Sequence, residues 1–252
     1  MADERELSGK VALVTGGARN IGRAVALALG AAGAAVVVNA RSSRAGAEET
    51  LAAIKAAGGE GAVHLADVTD PKAVGAMLEA AVGRFGRLDL LVNNAAVREE
   101  TPFAEITLAH WQRVLAVILD GAFVCAQACL PHMKRAGAGA IVNIGGLTAY
   151  TGASGRAHVV AAKAGLAGLT RALALELAPE AITVNCVVPG TIETVRGLPG
   201  TPERPAHRSA LPPLGRRGEP AEVAAAVRFL CGPGARYITG QSVHVSGGAT
   251  MG

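Results

Sequence analysis

Two stretches of this chain carry residue types that could do chemistry. The first is Thr15-Gly16-Gly17-Ala18-Arg19-Asn20-Ile21-Gly22, which follows the apolar run Val11-Ala12-Leu13-Val14 and opens an alanine-rich segment. Glycines between a strand and a helix let the backbone approach a pyrophosphate, and the unpaired amides at the helix start attract its charge. A glycine pattern alone is weak, and its position between those elements gives it weight. The second stretch runs from Ile144 to Lys163 and contains Thr148, Tyr150 and His158 ahead of the lysine. Tyr150 lies thirteen residues before Lys163, too far to stand one helical turn from it, and reads as a pocket or surface residue. His158 is turned by about 100° around the helix from Val159 and reads as a boundary or interface histidine unless that helix starts late. A Thr148 hydroxyl of ordinary acidity is a poor general acid.

Short β-branched runs begin near Val11, Val36, Val63, Leu90, Ile141, Ile182 and Val243, most of them separated by enough chain for one helix. Such alternation predicts an α/β fold, a doubly wound Rossmann-type parallel sheet of about seven strands with helices on both faces. Strands as continuously apolar as Val11–Val14 fit burial on both sides. Ligands of such a sheet gather at the strands' carboxyl ends, so the loops after Thr15, Asn39, Leu65, Asn93, Ile144 and Val188 matter most. At 252 residues a single domain suffices. Thr194 to Arg217 carries five prolines, which oppose a continuous helix; the segment reads as a flap over the cleft, or else as a surface connector.

Composition narrows the function. Half of the residues are hydrophobic but only 3% are aromatic, and the net charge is a mild +4 with Lys and Arg scattered, so a nucleic-acid partner is not expected. The charged amino terminus lacks the apolar core of a signal peptide, which predicts a cytoplasmic protein. The uncharged run from Arg23 to Arg41 is broken by Gly30 and Gly33 into helix, turn and strand, so no membrane span is expected. Cys125, Cys129, Cys186 and Cys231 lack metal-ligand spacing; Cys125 and Cys129 share a helix face and read as small core residues, and no metal is expected.

The motifs Thr15-Gly16 to Ile21-Gly22, Asp67-Val68, Asn93-Asn94-Ala95-Ala96, Lys163 and Pro189-Gly190-Thr191-Ile192-Glu193-Thr194 occur in the order and spacing of one family. By these motifs, and by Thr239-Gly240-Gln241 and Gly247-Gly248 near the end, nearly the whole chain resembles the short-chain dehydrogenase/reductases. The resemblance implies a nicotinamide dinucleotide held by Gly16, Arg19, Asn20, Ile21 and Gly22 at its pyrophosphate. Asp67 and Val68 would flank the adenine and Asn94 would lie near the adenosine ribose. Ile192 and Thr194, behind Pro189 and Gly190, would meet the carboxamide. Asp67 and Thr194 read equally as turn or helix caps. Asn20 stands in place of the family's middle glycine, a substitution tolerable for asparagine in left-handed backbone. Asn39-Ala40-Arg41 lacks a carboxylate for a free ribose 2′-hydroxyl, while Arg41 and Arg19 can clamp a 2′-phosphate. NADP(H) is therefore expected over NAD(H), although either arginine alone could be a solvated surface charge.

The resemblance also implies a catalytic tyrosine, serine, asparagine and lysine for carbonyl reduction. Lys163 fits the lysine, but the tyrosine position is Val159, the serine position Gly146 and the asparagine position Ile118. Three readings follow. The chain is a catalytically silent NADP(H)-binding member acting as a structural subunit or ligand sensor; an enzyme of altered redox or non-redox chemistry using Lys163 with Tyr150, His158 or Thr148; or an ordinary reductase in a different register. A small-molecule ligand is expected. So is a homo-oligomer (dimer or tetramer), or a hetero-oligomer with an active paralogue, paired through the helices at Trp111–His132 and Ala157–Leu177.

Overall fold

A computed structural model of the chain describes residues 5–194 and 211–251. Seven strands form one sheet in the order β3-β2-β1-β4-β5-β6-β7. They are β1 (Val11–Val14), β2 (Ala35–Ala40), β3 (Glu60–Leu65), β4 (Leu90–Asn93), β5 (Gly139–Ile144), β6 (Ile182–Pro189) and β7 (Ser242–Val245). All neighbours pair in parallel. The order reverses between β1 and β4, which makes the gap above their carboxyl ends the switch point where such sheets take ligands.

The helices are α1 (Asn20–Ala31), α2 (Arg44–Ala56), α3 (Pro71–Phe85), α4 (Leu108–Leu115), α5 (Gly121–Ala136), α6 (Thr148–Thr151), α7 (Ala157–Leu177) and α8 (Pro220–Cys231). Because alternate residues of a strand face opposite sides, Ala12 and Val14 enter a core under α1, α2 and α8, while Val11 and Leu13 enter one under α3, α5 and α7. Burial on both faces explains why β1 reads as an unbroken apolar run. Asp70 caps α3 by accepting from the amides of Lys72 and Ala73, with Pro71 at the first helical position. Asp89, 1% exposed, closes the base of the sheet by accepting from Lys10, Arg87 and the Val11 amide. Cys125 and Cys129 are buried and free, as expected of core residues, and so are Cys186 and Cys231.

α4 and α5 join through a π-helical turn, Ala116–Asp120. The continuous segment Leu108–Ala136 contains an 18-residue stretch with a mean hydropathy of 1.9 and is long enough to match a membrane span. Its inward face carries Cys125, Cys129 and Met133 into the second core, and it packs on α3, β4 and β5, as a core helix does.

Candidate functional site

The glycine loop has the form its sequence calls for. Gly16 has φ +64°, and a Cβ on Gly22 would come within 2.2 Å of the Gly16 carbonyl oxygen and 2.5 Å of Asn94 Nδ2. Asn20, in place of a glycine, has φ 51°, a left-handed conformation that asparagine adopts at little cost. The result is a turn at the start of α1 whose backbone a phosphate can approach.

Thr15 does more than the motif reveals. Its buried hydroxyl accepts from the amides of Asn94 (2.9 Å) and Ala95 (3.0 Å) and donates to the Val92 carbonyl (3.3 Å), tying β1 to β4 across the switch point. Asn94 in turn donates from Nδ2 to the carbonyls of Thr15 (2.9 Å) and Gly16 (3.1 Å), so its amide holds the glycine loop in shape. Asn39, 1% exposed, donates to the Ala66 carbonyl at 3.0 Å, while its own carbonyl accepts from Gly17 at 2.8 Å. Three loops at the sheet's edge are thereby fixed before any ligand arrives.

Arg19 and Arg41 are both exposed at the mouth of this cleft. Asp67 accepts from the Thr69 amide (2.9 Å) and hydroxyl (2.8 Å), forming a turn cap. Those Thr69 bonds, with a smaller contribution from the Arg41 charge, hold its carboxyl below the usual range. Val68 is buried beside it. On the other side of the cleft, Pro189 ends β6 and its carbonyl accepts from the Leu147 amide at 3.0 Å. Gly190 passes so close to Ser246 that a Cβ would lie 2.7 Å from its Cα. Ile192 is buried and pairs with Gly218, and Thr194 Oγ1 bonds back to the Ile192 carbonyl at 3.5 Å.

Lys163 lies on α7, is 8% exposed, and its ammonium donates to the Ile144 carbonyl at the end of β5. Burial pushes its pKa down to about 8. One turn earlier Val159 joins Ile118, Val114 and Ala162 in a small apolar cluster with Val97 and Leu115. Ile118 sits within the π-helical turn, 2% exposed against this cluster. Gly146 has room: a Cβ there meets nothing nearer than Lys163 Cγ at 3.8 Å.

The other groups of the Ile144–Lys163 stretch are engaged elsewhere. Tyr150, 44% exposed, donates to the Ser242 hydroxyl at 2.7 Å and packs edge-on to His244, lining a separate open pocket of about 490 Å³ with Arg171 and Gln241. His158 is fully buried, its ring edge-on to His110 at 4.6 Å. Thr148 begins α6, half-buried. No hydrogen bond among the described residues joins any of these three to Lys163.

The expected flap falls largely on residues 195–210, outside the described residues, and with it Arg196, Arg204, His207 and Arg208. Its two ends are described. The Glu193 amide donates to the Gly218 carbonyl (2.8 Å) and the Gly218 amide to the Thr191 carbonyl (3.0 Å), while Leu214 bonds to Gly247 at 3.1 Å. Arg216 makes a two-pronged pair with Glu222 (2.8 and 2.6 Å), and Arg217 lies 3.5 Å from Glu193. Carboxylates thus already neutralise both of these arginines.

This arrangement has close counterparts. Residues 16–250 match a family described as enoyl-(acyl carrier protein) reductase. A 3-oxoacyl-[acyl-carrier-protein] reductase of Synechocystis sp. is 40% identical over 251 residues, covering 97% of this chain and 98% of that protein. The chain belongs to the short-chain dehydrogenase/reductase family. Among solved short-chain dehydrogenase/reductase structures, one titled a putative short-chain alcohol dehydrogenase from Sinorhizobium meliloti superposes with a TM-score of 0.91 at 39% identity, covering 98% of each chain. Another, a short-chain dehydrogenase from Burkholderia cenocepacia in complex with NADP, gives 0.89 at 36% identity over 97% of this chain and 99% of that one. As a short-chain dehydrogenase/reductase, the chain is of an oxidoreductase family that binds a nicotinamide cofactor.

Proposed function

We propose that this chain is an NADP(H)-binding short-chain dehydrogenase/reductase in which ordinary carbonyl reduction is lost, serving as a silent subunit or a ligand-binding member. The observation that carries the reading is the apolar cluster of Val159, Ile118, Val114 and Ala162, set where the family's proton donor and its polar support would stand. When bound, the cofactor supplies hydride. What this chain's residues would do is bind it: the Gly16–Gly22 turn takes the pyrophosphate, Arg19 and Arg41 a 2′-phosphate, and Lys163 the ribose. Asp67, Val68 and Asn94 are assigned to the adenosine end, and Pro189, Gly190, Ile192 and Thr194 to the carboxamide end. A missing acid costs about 10²- to 10⁴-fold and a missing oxyanion donor about 10²- to 10³-fold, without simple additivity.

The relatives named as 3-oxoacyl-[acyl-carrier-protein] reductases point to an acyl thioester as the ligand class for which the scaffold is suited. Exposed Leu108, Phe123 and Leu175, at 70%, 47% and 82%, support pairing of the α4–α5 and α7 surfaces in a homo-oligomer or with an active paralogue. We assign the chain to the cytoplasm, as one domain with a flap at residues 194–217.

The test is a calorimetric titration with NADPH and NADH, followed by a ketone screen. Tight NADPH binding with negligible turnover is expected; Val159→Tyr with Gly146→Ser should then raise the rate more than either alone, since Gly146 has space for a hydroxyl. Wild-type turnover of about 1 per second or faster with a simple ketone would overturn the silent reading. One observation favours the alternative of non-standard chemistry: an amine at about 8 can donate or accept a proton near neutral pH.

A further inference from the structure

We propose that Glu99, His110 and His158 form a structural site for one divalent transition ion of the zinc class, distinct from the nucleotide cleft and independent of the function proposed for it. The sequence gives no hint of this. The three residues come from the loop after β4, from α4 and from the first turn of α7, and only the fold brings them together. Each offers one ligand atom, and the three atoms lie within 4.8 Å of one another.

The second observation concerns His158. Its side chain is 0% exposed, yet neither Nδ1 nor Nε2 has a hydrogen-bond partner. An imidazole always carries at least one N–H, so burying it with both nitrogens unmatched is unfavourable, and such a group calls for an ion or a water that completes it. Among the described residues His132 and His244 each leave only one buried nitrogen unmatched.

The donor set suits the ion. Two imidazoles and a carboxylate are ligands of borderline softness, which favour zinc over calcium or magnesium. Zinc holds such atoms at about 2.0–2.2 Å, so binding requires His110 and Glu99, now 2.5 Å apart, to open around the ion while His158 closes on it. Arg113 donates to both Glu99 oxygens at 2.7 Å; Oε1 keeps a further lone pair, and that of Oε2 now faces His110. Arg113 thus orients the ligand from behind, as the outer partners of metal sites do. Its positive charge, which would otherwise repel a cation, is balanced by that same carboxylate.

Access exists from one side, since the Glu99 and His110 side chains are 31% and 17% exposed. A water would complete four-fold coordination there. The location makes the role structural. The ion would tie the loop after β4 and α4 to α7 next to Val159, while the His158 ring lies against His110 and is closed off from solvent.

The experiment uses the full chain purified without a histidine tag, stripped with chelator, then titrated with Zn²⁺ by calorimetry and with Co²⁺ by visible absorption. One ion per chain is expected, with a tetrahedral Co²⁺ band. At a hundredfold excess over Kd, Zn²⁺ should raise Tm by about 5–10 °C. His110→Gln should abolish the band, and Arg113→Gln should weaken Zn²⁺ about 10- to 100-fold, both leaving NADPH affinity unchanged. If His110→Gln fails to fold, Glu99→Gln is read in its place. Absence of stoichiometric binding by the wild type, or wild-type Zn²⁺ affinity in the folded ligand variant, overturns the proposal.

Discussion

Replacing Lys163 by methionine tests whether this amine is as strained as its burial implies. Folding moves its pKa from 10.5 down to about 8, and at about 1.4 kcal/mol per pH unit this corresponds to about 3 kcal/mol opposing the protonated form. Below pH 8 both folded and unfolded chains carry the proton, so the penalty is constant and stability is flat with pH. Between about 8 and 10.5 the unfolded chain holds a proton that the folded one has shed, and stability rises by about 1.4 kcal/mol per pH unit. The gain is complete above 10.5 and lost as pH falls through 8. Buried thiols oppose it: those of Cys125 and Cys231 are pushed up to about 12, so the unfolded chain loses protons first and stability falls as pH rises above the ordinary thiol value.

The Cys125 and Cys231 contributions are common to both proteins and cancel when their urea-unfolding curves are subtracted, whereas the Cys186 thiol, which feels the Lys163 charge, is part of the difference. Lys163→Met should show no lysine slope, so the wild type gains about 3 kcal/mol on the variant between pH 7.5 and 10.5. At pH 7 the two should lie within about 2 kcal/mol of each other, because relief of the buried charge is offset by losing the bond to the Ile144 carbonyl. NADPH binding should weaken in the variant. Parallel stability curves for the two proteins across this window would refute the reasoning, since a lysine that keeps its proton in the folded state contributes no slope.

Three further outcomes are expected. Gly22→Ala places a methyl within 2.2 Å of the Gly16 carbonyl and should cost about 1–3 kcal/mol and most of the NADPH affinity; normal calorimetric binding would contradict the cradle. Thr15→Val leaves the Asn94 and Ala95 amides without their acceptor and should lower stability by about 1–3 kcal/mol, a Tm drop of roughly 2–4 °C per kcal/mol, measurable by scanning calorimetry. An unchanged Tm would show that these amides find other partners. Arg41→Ala should weaken NADPH about 10- to 100-fold, as for loss of a charge-assisted bond, while leaving NADH unchanged; equal losses would place Arg41 away from the 2′-phosphate.

The strands were legible because burial on both faces leaves continuous apolar runs, and all seven were found. β3 was the least well bounded: it begins at Glu60, ahead of the Val63 that marks it, since its first residues are not β-branched. The glycine turn and the left-handed Asn20 could be read because backbone strain restricts residue choice locally. Thr15 was quoted only as a motif member, because its partners Asn94 and Ala95 are some eighty residues distant. The π-helical turn at Ile118 escaped notice, as one wide turn barely alters helical periodicity. Glu99, His110 and His158 were invisible as a group for the same reason as Thr15: no spacing rule links a loop and two helices that meet only in the folded chain.

The paired backbone at Ile192 and Gly218 has a consequence for how this protein can change. The bonds of Thr191 and Glu193 to Gly218 hold the two ends of the intervening segment together beside the sheet. Closing a flexible loop of twice the length costs only about 0.6 kcal/mol more. Changes of length between those two ends should therefore leave strand register and the nucleotide cradle untouched.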